Sequence, residues 1–294
     1  MRFWARPAAL LVVLASPLRA EDGIRWDIEP EQLIRRVAGA QKAVDDGLSN
    51  YTFDQKIVET KYDAKGRAKE TTSKLFYVYS GEKAREVSRE LIEVDGRPAT
   101  EKEKREALEE DAKREKKRIE DQAKERAKNP PKVSGDDDEP LVGGRRLSDV
   151  MDRFQYRFVG EEIREGRVVY VMDFAPRPGA PAKTASERAF NQLAGRAVVD
   201  ASDFQIRAID ARLTKPVKVA GGLAANVKEA FISYEARPAR EALWFPCVID
   251  LRLKGKAALL FRLDAQYRFE LTNFRTFGVE TRTQVEEGPG GTAP

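Results

Sequence analysis

From residue 29 the apolar positions recur with helical spacing. Leu33, Ile34, Val37, Ala40, Val44 and Leu48 fall three or four apart, behind a Glu29-Pro30-Glu31 start that places acids and an early proline at the positive helix end. The period then drops to two. Tyr51, Phe53, Gln55 and Ile57 alternate with Thr52, Asp54 and Lys56, which predicts a half-buried strand, and Asp63-Ala64-Lys65-Gly66 predicts a hairpin turn. Leu75 to Tyr79 and Val87 to Val94 predict two further strands, and Asp95-Gly96-Arg97-Pro98 ends this meander.

A second run of strands begins after a short helix near Ser148 to Arg153. Phe154, Tyr156 and Phe158 alternate, Glu165-Gly166 turns the chain, and Val168 to Phe174 returns. Thr184 and Glu187 carry the spacing of a capping box and predict a helix that ends before Gly195. Gly195 to Asp200 and Phe204 to Leu213 predict a hairpin about Ala201-Ser202-Asp203, followed by strands at Val217 to Val219, Val227 to Tyr234 and Trp244 to Leu253. The clearest alternation comes last: Leu259, Phe261, Leu263, Ala265, Tyr267, Phe269 and Leu271 share one face, opposed by Leu260, Arg262, Asp264, Gln266, Arg268 and Glu270. The fold class expected is mainly β (α+β), a curved antiparallel sheet or half-open β-barrel of about ten or eleven strands covered by helices.

Between the two runs the composition changes. From Glu101 to Lys128, 21 of 28 residues are charged, no glycine or proline interrupts, and Thr100 with Glu103 forms a capping-box signature. Leu108, Ala112, Ile119 and Ala123 give a narrow apolar stripe, so a solvated inserted helix is expected, one that lies on another surface or serves as an arm for a partner. Residues 129–147, with Asn129-Pro130-Pro131, Asp136-Asp137-Asp138 and Gly143-Gly144, are expected to be a flexible linker. The three aspartates lack the glycine and distal glutamate of a calcium loop, and no metal site is expected there.

At the start, Arg2 and Arg6 precede the apolar run Ala8 to Ala15, and Ser16-Pro17-Leu18-Arg19-Ala20 supplies a helix breaker and a small residue. Residues 1–20 are therefore expected to be a secretory signal peptide, residues 21–287 one domain, and residues 288–294 a disordered tail. No cysteine follows the apolar run, so the expected periplasmic protein is not lipidated at that point. The leader also changes the charge balance. Three of the 53 basic residues lie in it, leaving 50 against 49 acids, so the remaining chain has no overall electrostatic reason to bind nucleic acid.

Composition limits the chemistry. The chain has no histidine and one cysteine, Cys247, so histidine-based triads, histidine-ligated metals, cysteine zinc clusters and an intrachain disulfide are all excluded. Cys247 lies in the apolar run Leu243 to Ile249 and is expected to be structural. Paired carboxylates remain, Glu161-Glu162 and Asp264 with Glu270, but charged residues on the wet face of an alternating strand are ordinarily solvated. No enzyme and no cofactor is expected.

Three segments carry a resemblance: Gly195-Arg196-Ala197-Val198-Val199-Asp200 with Phe204-Gln205-Ile206; Trp244-Phe245-Pro246; and the closing stretch from Tyr267 to Phe277. With the order of elements, they resemble the periplasmic lipoprotein-sorting carriers of the LolA and LolB type over most of the mature chain. The resemblance implies a half-open barrel, closed by helices, that shelters lipoprotein acyl chains without a catalytic residue. The inserted charged helix departs from the smaller members. A carrier or sensor of an acyl chain, lipoprotein or other hydrophobic envelope ligand is the expected function. Phe53, Tyr77, Phe158, Trp244, Phe261, Tyr267 and Phe269 are the candidate cavity lining. The alternative is a filled-barrel structural module whose charged helix binds another inner- or outer-membrane envelope protein.

Overall fold

The computed structural model describes residues 29–48, 50–80, 87–128, 147–182, 185–219, 225–239, 243–257 and 261–276. The expected leader, the linker up to residue 146, Thr184, Leu259, Leu260 and the tail lie outside these. Helix α1 (Pro30–Leu48) is followed by β1 (Tyr51–Tyr62), β2 (Ala68–Ser80), β3 (Val87–Val94), β4 (Arg97–Pro98) and α2 (Glu101–Lys128). A 3-10 helix (Ser148–Arg153) leads into β5 (Phe154–Arg164), β6 (Arg167–Pro176), α3 (Ala185–Phe190), β7 (Leu193–Asp200), β8 (Ile206–Leu213) and β9 (Val217–Val219). The chain closes with β10 (Ala225–Pro238), β11 (Trp244–Ala257) and β12 (Phe261–Thr276).

All twelve strands form one antiparallel sheet in the order β4-β3-β2-β1-β12-β11-β10-β8-β7-β6-β5, with β9 on β10. The sheet is open, its path ending at β4 on one side and β5 on the other. The turns that join neighbours are the ones their chemistry requires. Asp95-Gly96 and Glu165-Gly166 both take positive φ at each central residue, the mirror-image turn whose twist matches that of flanking strands. Asp63 accepts from the Lys65 and Arg67 backbone N–H groups, and Gly66 has φ 77°.

One face of the sheet is covered by helices. The C-terminal half of α1 puts Val44 and Leu48 into a core with Tyr51, Phe53, Phe76, Val78, Leu91, Phe245 and Leu271; its N-terminal half puts Leu33 and Val37 against Met151, Met172, Val199 and Ile206. The face that α1 covers is called the inner face. Asp45 fixes the helix in place, accepting from Gln41 Nε2 (2.9 Å) and from the Ser148 backbone N–H (3.0 Å), so a buried polar pair ties α1 to the 3-10 helix. A third cluster, Val150, Phe154 and Leu193, packs under that 3-10 helix.

Helix α2 begins where the capping box predicts. Glu103 N–H donates to Thr100 Oγ1, Thr100 N–H donates to Glu103 Oε2, and Arg97 makes a two-pronged contact to the same carboxylate. Its first three turns lie on the sheet: Ala107 is buried in the α1 core, and Asp111 receives both guanidinium prongs of Arg89 (2.6 and 2.7 Å), whose Cζ lies 4.2 Å from the centroid of the Phe76 ring.

Local expectations are corrected in two places. The twelfth strand is β4, two residues long and below the length at which alternation can be recognised. Phe204, expected in a strand, has φ 60° and belongs to the β7–β8 turn; β8 starts at Ile206. Glu187 of α3 is buried and accepts from Arg153 Nη2 at 2.8 Å, while Thr184, its expected capping partner, lies outside the described residues. Cys247 occupies the register shift opposite Glu235 and Ala236, where its Sγ–H donates to the Glu235 carbonyl (3.3 Å), and burial raises its thiol pKa.

Gly195 is required by sheet packing. A Cβ there would lie 2.0 Å from the Asp210 carbonyl oxygen on β8, a backbone atom that cannot yield as a side-chain tip does. Gly39, on the exposed side of α1, meets nothing within 4 Å. Gly195→Ala is therefore expected to lower unfolding free energy by at least about 1–3 kcal/mol, whereas Gly39→Ala raises it by up to about 1 kcal/mol. Urea denaturation of both variants measures the contrast.

Candidate functional site

The Gly195-to-Ile206 signature builds a polar clasp. Asp200 is fully buried at the end of β7; its carboxylate accepts from Arg167 Nε (2.6 Å) and Nη2 (2.9 Å) and from the Ser202 backbone N–H (3.0 Å). Asp203 and Gln205 then reach over to the start of β11, where Asp203 Oδ2 accepts from Trp244 Nε1 (2.9 Å) and Gln205 Oε1 from the Trp244 backbone N–H (2.7 Å). Arg207 lies 4.5 Å from the Trp244 ring centroid and Arg167 5.7 Å from it. Every charge in this group has an opposite partner, and the clasp holds the β7–β8 turn to β11.

The strand registers give the inner face its composition. One row runs Tyr234, Ile249, Phe269, Ile57; the next Ile232, Leu251, Tyr267, Glu59; the next Ala230, Leu253, Ala265, Lys61; and the last Val227, Gly255, Leu263. Across β10, β11 and β12 these rows are apolar, and at β1 they become charged. Tyr267 marks the border, its hydroxyl donating to Glu59 Oε1 at 3.1 Å, with burial and the nearby Glu59 carboxylate raising its pKa.

The core built on α1 reaches Ile57 and Phe269 and stops there. Leu251, Leu253, Leu263 and Tyr267 lie beyond it, half-buried and in none of the three core clusters. With Ala230 and Val227 on β10 they form an apolar strip two strand spacings wide, about 10 Å, and seven residues long from Ile249 to Gly255, about 20 Å.

The seven candidate aromatic residues are not brought to one place. Phe53 is buried under α1, and Phe269 packs at the edge of the same core. Tyr267 borders the apolar strip, and Phe261, 70% exposed, lies at its far end. Phe158 lines a separate cleft of about 330 Å³ with Leu33, Ile34, Phe154, Tyr156 and Met172, under the first turns of α1. Trp244 is part of the clasp. Tyr77 pairs with Asp54 and so points to the outer face, where it stacks on Tyr79 at 5.9 Å. The strip's leucines were missed as site residues; their alternation in β11 and β12 was the available signal.

Asp264, 3% exposed, lies between the guanidiniums of Arg252 and Arg262, and Glu270 accepts from Arg268 at 2.8 Å. These carboxylates are ion-paired on the outer face, across the sheet from the strip. Among the described residues no group of three or more His, Cys, Asp or Glu side chains is placed to hold a metal ion, and no helix is long and apolar enough to cross a membrane.

The clasp makes stability depend on pH. Burial alone would raise the Asp200 pKa, but the hydrogen bonds from Arg167 and Ser202 outweigh it and hold the carboxyl at about 2, below the ordinary 3.8. A folded-state pKa below the unfolded one contributes stability in full above about pH 4, and that contribution is lost as pH falls towards 2. Asp200→Asn is expected to remove on the order of 2 kcal/mol at neutral pH and to flatten the acid limb between pH 4 and 2, as followed by urea midpoints across that range.

No protein-family model and no curated protein matches the chain. Among solved structures it is similar to a domain described as outer-membrane lipoprotein-sorting from Vibrio parahaemolyticus, at 10% identity over 87% of this chain and 95% of that one, with a TM-score of 0.34. It is similar to a LolA-superfamily protein from Nitrosomonas europaea at 9% identity over 84% and 94%, TM-score 0.34. It is also similar to a DUF1329-family protein from Desulfovibrio piger at 12% identity over 83% and 93%, TM-score 0.35.

Proposed function

We propose that the protein is a non-enzymatic periplasmic carrier that shelters an acyl chain, free or borne by a lipoprotein, on the inner face of β10, β11 and β12. The observation that carries this reading is the apolar strip beyond the α1 core. Leu251, Leu253 and Leu263 face the covered side of the sheet without being absorbed into its packing. An acyl chain laid along them gains roughly 0.8 kcal/mol for each methylene removed from water, with no reactive group required. The border at Glu59, Lys61 and Tyr267 would keep the chain on β10–β12, because burying an ion pair such as Lys61–Glu70 (3.1 Å) under hydrocarbon is unfavourable. The covered stretch under α1 supports a different role. There Phe53, Phe76, Val78 and Phe245 already fill the space, so the filled-barrel alternative describes that half of the inner face.

The test is binding of a fluorescent fatty acid, together with native mass spectrometry of protein taken from the cell envelope. Leu251→Asp is expected to weaken probe binding roughly tenfold to a hundredfold, the worth of one buried leucine, at unchanged thermal midpoint. Unchanged affinity in that variant, with no acyl-bearing species copurifying, would leave the interaction-module reading in place of the carrier.

A further inference from the structure

The end of the sheet beyond the strip carries an excess of positive charge. On the outer face, one register row runs Lys218 on β9, Asn226 on β10, Lys256 on β11 and Arg262 on β12. Lys228 stands beside it at a register shift, and Lys254 in the adjoining row pairs with Glu229. Lys228, Lys254, Lys256 and Arg262 share a cleft of about 270 Å³ with Gly255, Leu263 and Asp264. Asp264 is neutralised by two arginines, and Lys218, Lys228 and Lys256 are exposed with no ion pair among the described residues. Asn226 Oδ1, in the middle of the row, is buried without a hydrogen-bond partner.

This charge contrasts with the rest of the outer face. Farther along the same strands Asp250, Arg268 and Glu270 form a ladder in which each charge meets its opposite, with Arg268 at 2.7 Å from Asp250 and 2.8 Å from Glu270. At this end of the sheet Lys218, Lys228, Lys254, Lys256 and Arg262 stand against Glu229 and Asp264. The inner face of that same end carries Phe261, 70% exposed, one pleat from Leu263 at the mouth of the strip. An aromatic ring in water beside lysines is costly in an aqueous setting and favourable at a lipid–water interface, where the ring lies at headgroup depth and the ammonium groups meet phosphates.

We propose that this end of the sheet docks on an anionic phospholipid surface. Lys218, Lys228 and Lys256 contact lipid phosphates and Phe261 enters the interface, so that the strip's open end faces the bilayer. A soluble polyanion would account for the lysines and leave Phe261 unexplained, which is why a membrane is the occupant chosen. Docking rests on the carrier reading for its purpose but not for its geometry.

The test is flotation of the full mature chain with phosphatidylglycerol–phosphatidylcholine vesicles and with phosphatidylcholine vesicles alone. Binding is expected to the first and not the second, and to fall with added salt. Lys218→Gln with Lys256→Gln is expected to weaken it by roughly fivefold per charge, while Lys42→Gln with Lys102→Gln, exposed cations on the helices, leaves it unchanged. Phe261→Ser is expected to weaken vesicle binding without altering affinity for inorganic polyphosphate. Arg262 is left intact because it neutralises the buried Asp264. The proposal is overturned if the Lys218 and Lys256 double variant floats like the wild type, or if Phe261→Ser does. Leu251→Asp separates the two readings. Retained flotation with lost probe binding supports docking and the acyl site independently; lost flotation in a folded Leu251→Asp protein overturns docking by the sheet end.

Discussion

The pairing of the first strand with the last holds the architecture together. β1 and β12 are separated by some two hundred residues, yet run antiparallel from Tyr51↔Thr276 to Lys61↔Ala265. Without this ladder the chain would make two separate sheets, β1 to β4 and β5 to β12, each with an additional raw edge. With it, Ile57 stands beside Phe269 and Gln55 beside Leu271, so one inner face runs unbroken from β3 to β5. Helix α1 lies across that seam. Val44 and Leu48 contact residues contributed by both ends of the chain, and the core that closes the seam is assembled only when the ends meet. So non-local a contact imposes a large loop-closure cost, which makes slow folding the expectation for this topology.

The elements whose signals are local were legible in the sequence. The Thr100–Glu103 capping box, the Asp95-Gly96 and Glu165-Gly166 turns and the alternation of β12 from Phe261 onward each depend on neighbours a few residues apart, and each stands where it was read. What failed was sidedness. In β2 the run Leu75-Phe76-Tyr77-Val78-Tyr79 is apolar at every position, so period two cannot tell which residues face the helices; the structure puts Phe76 and Val78 inside and Tyr77 and Tyr79 outside. Trp244 was misleading for a related reason. Its indole N–H finds Asp203 forty-one residues earlier in the chain, and a large aromatic in an apolar run gives no sign that its partner is a carboxylate. Gly195 was read as part of a signature, but the reason for glycine is a carbonyl on the neighbouring strand.

The length of α1 sets the division between filled and unfilled inner face. Nineteen residues of helix span about 28 Å, whereas the fourteen residues of β11 alone extend about 45 Å. A helix of that length, in contact with β5 and β11, is shorter than the long strands, and α3 reaches β9 and the β10 residue Ile232. On β1 and β12 the core ends at Ile57 and Phe269 and on β10 it reaches Ile232, although the alternation that produced it continues to Leu263. The packed core and the apolar strip are thus two stretches of one surface, divided by how far the covering helix reaches.

The same geometry explains why charge is distributed as it is on the opposite face. Where the inner side is packed under α1, the outer side needs only to remain soluble, and a ladder of alternating signs such as Asp250–Arg268–Glu270 does so while holding neighbouring strands in register. Where the strands run beyond the helix they lose that support, and the pairing of β9, β10, β11 and β12 must hold the end together by backbone hydrogen bonds and by buried contacts such as Asp264 between two arginines. Lys256 on β11 opposite Arg262 on β12 works against this, because like charges on adjacent strands repel. Three exposed ammonium groups gathered at one end therefore repel one another in the isolated fold, and contact with an anionic surface would relieve that repulsion.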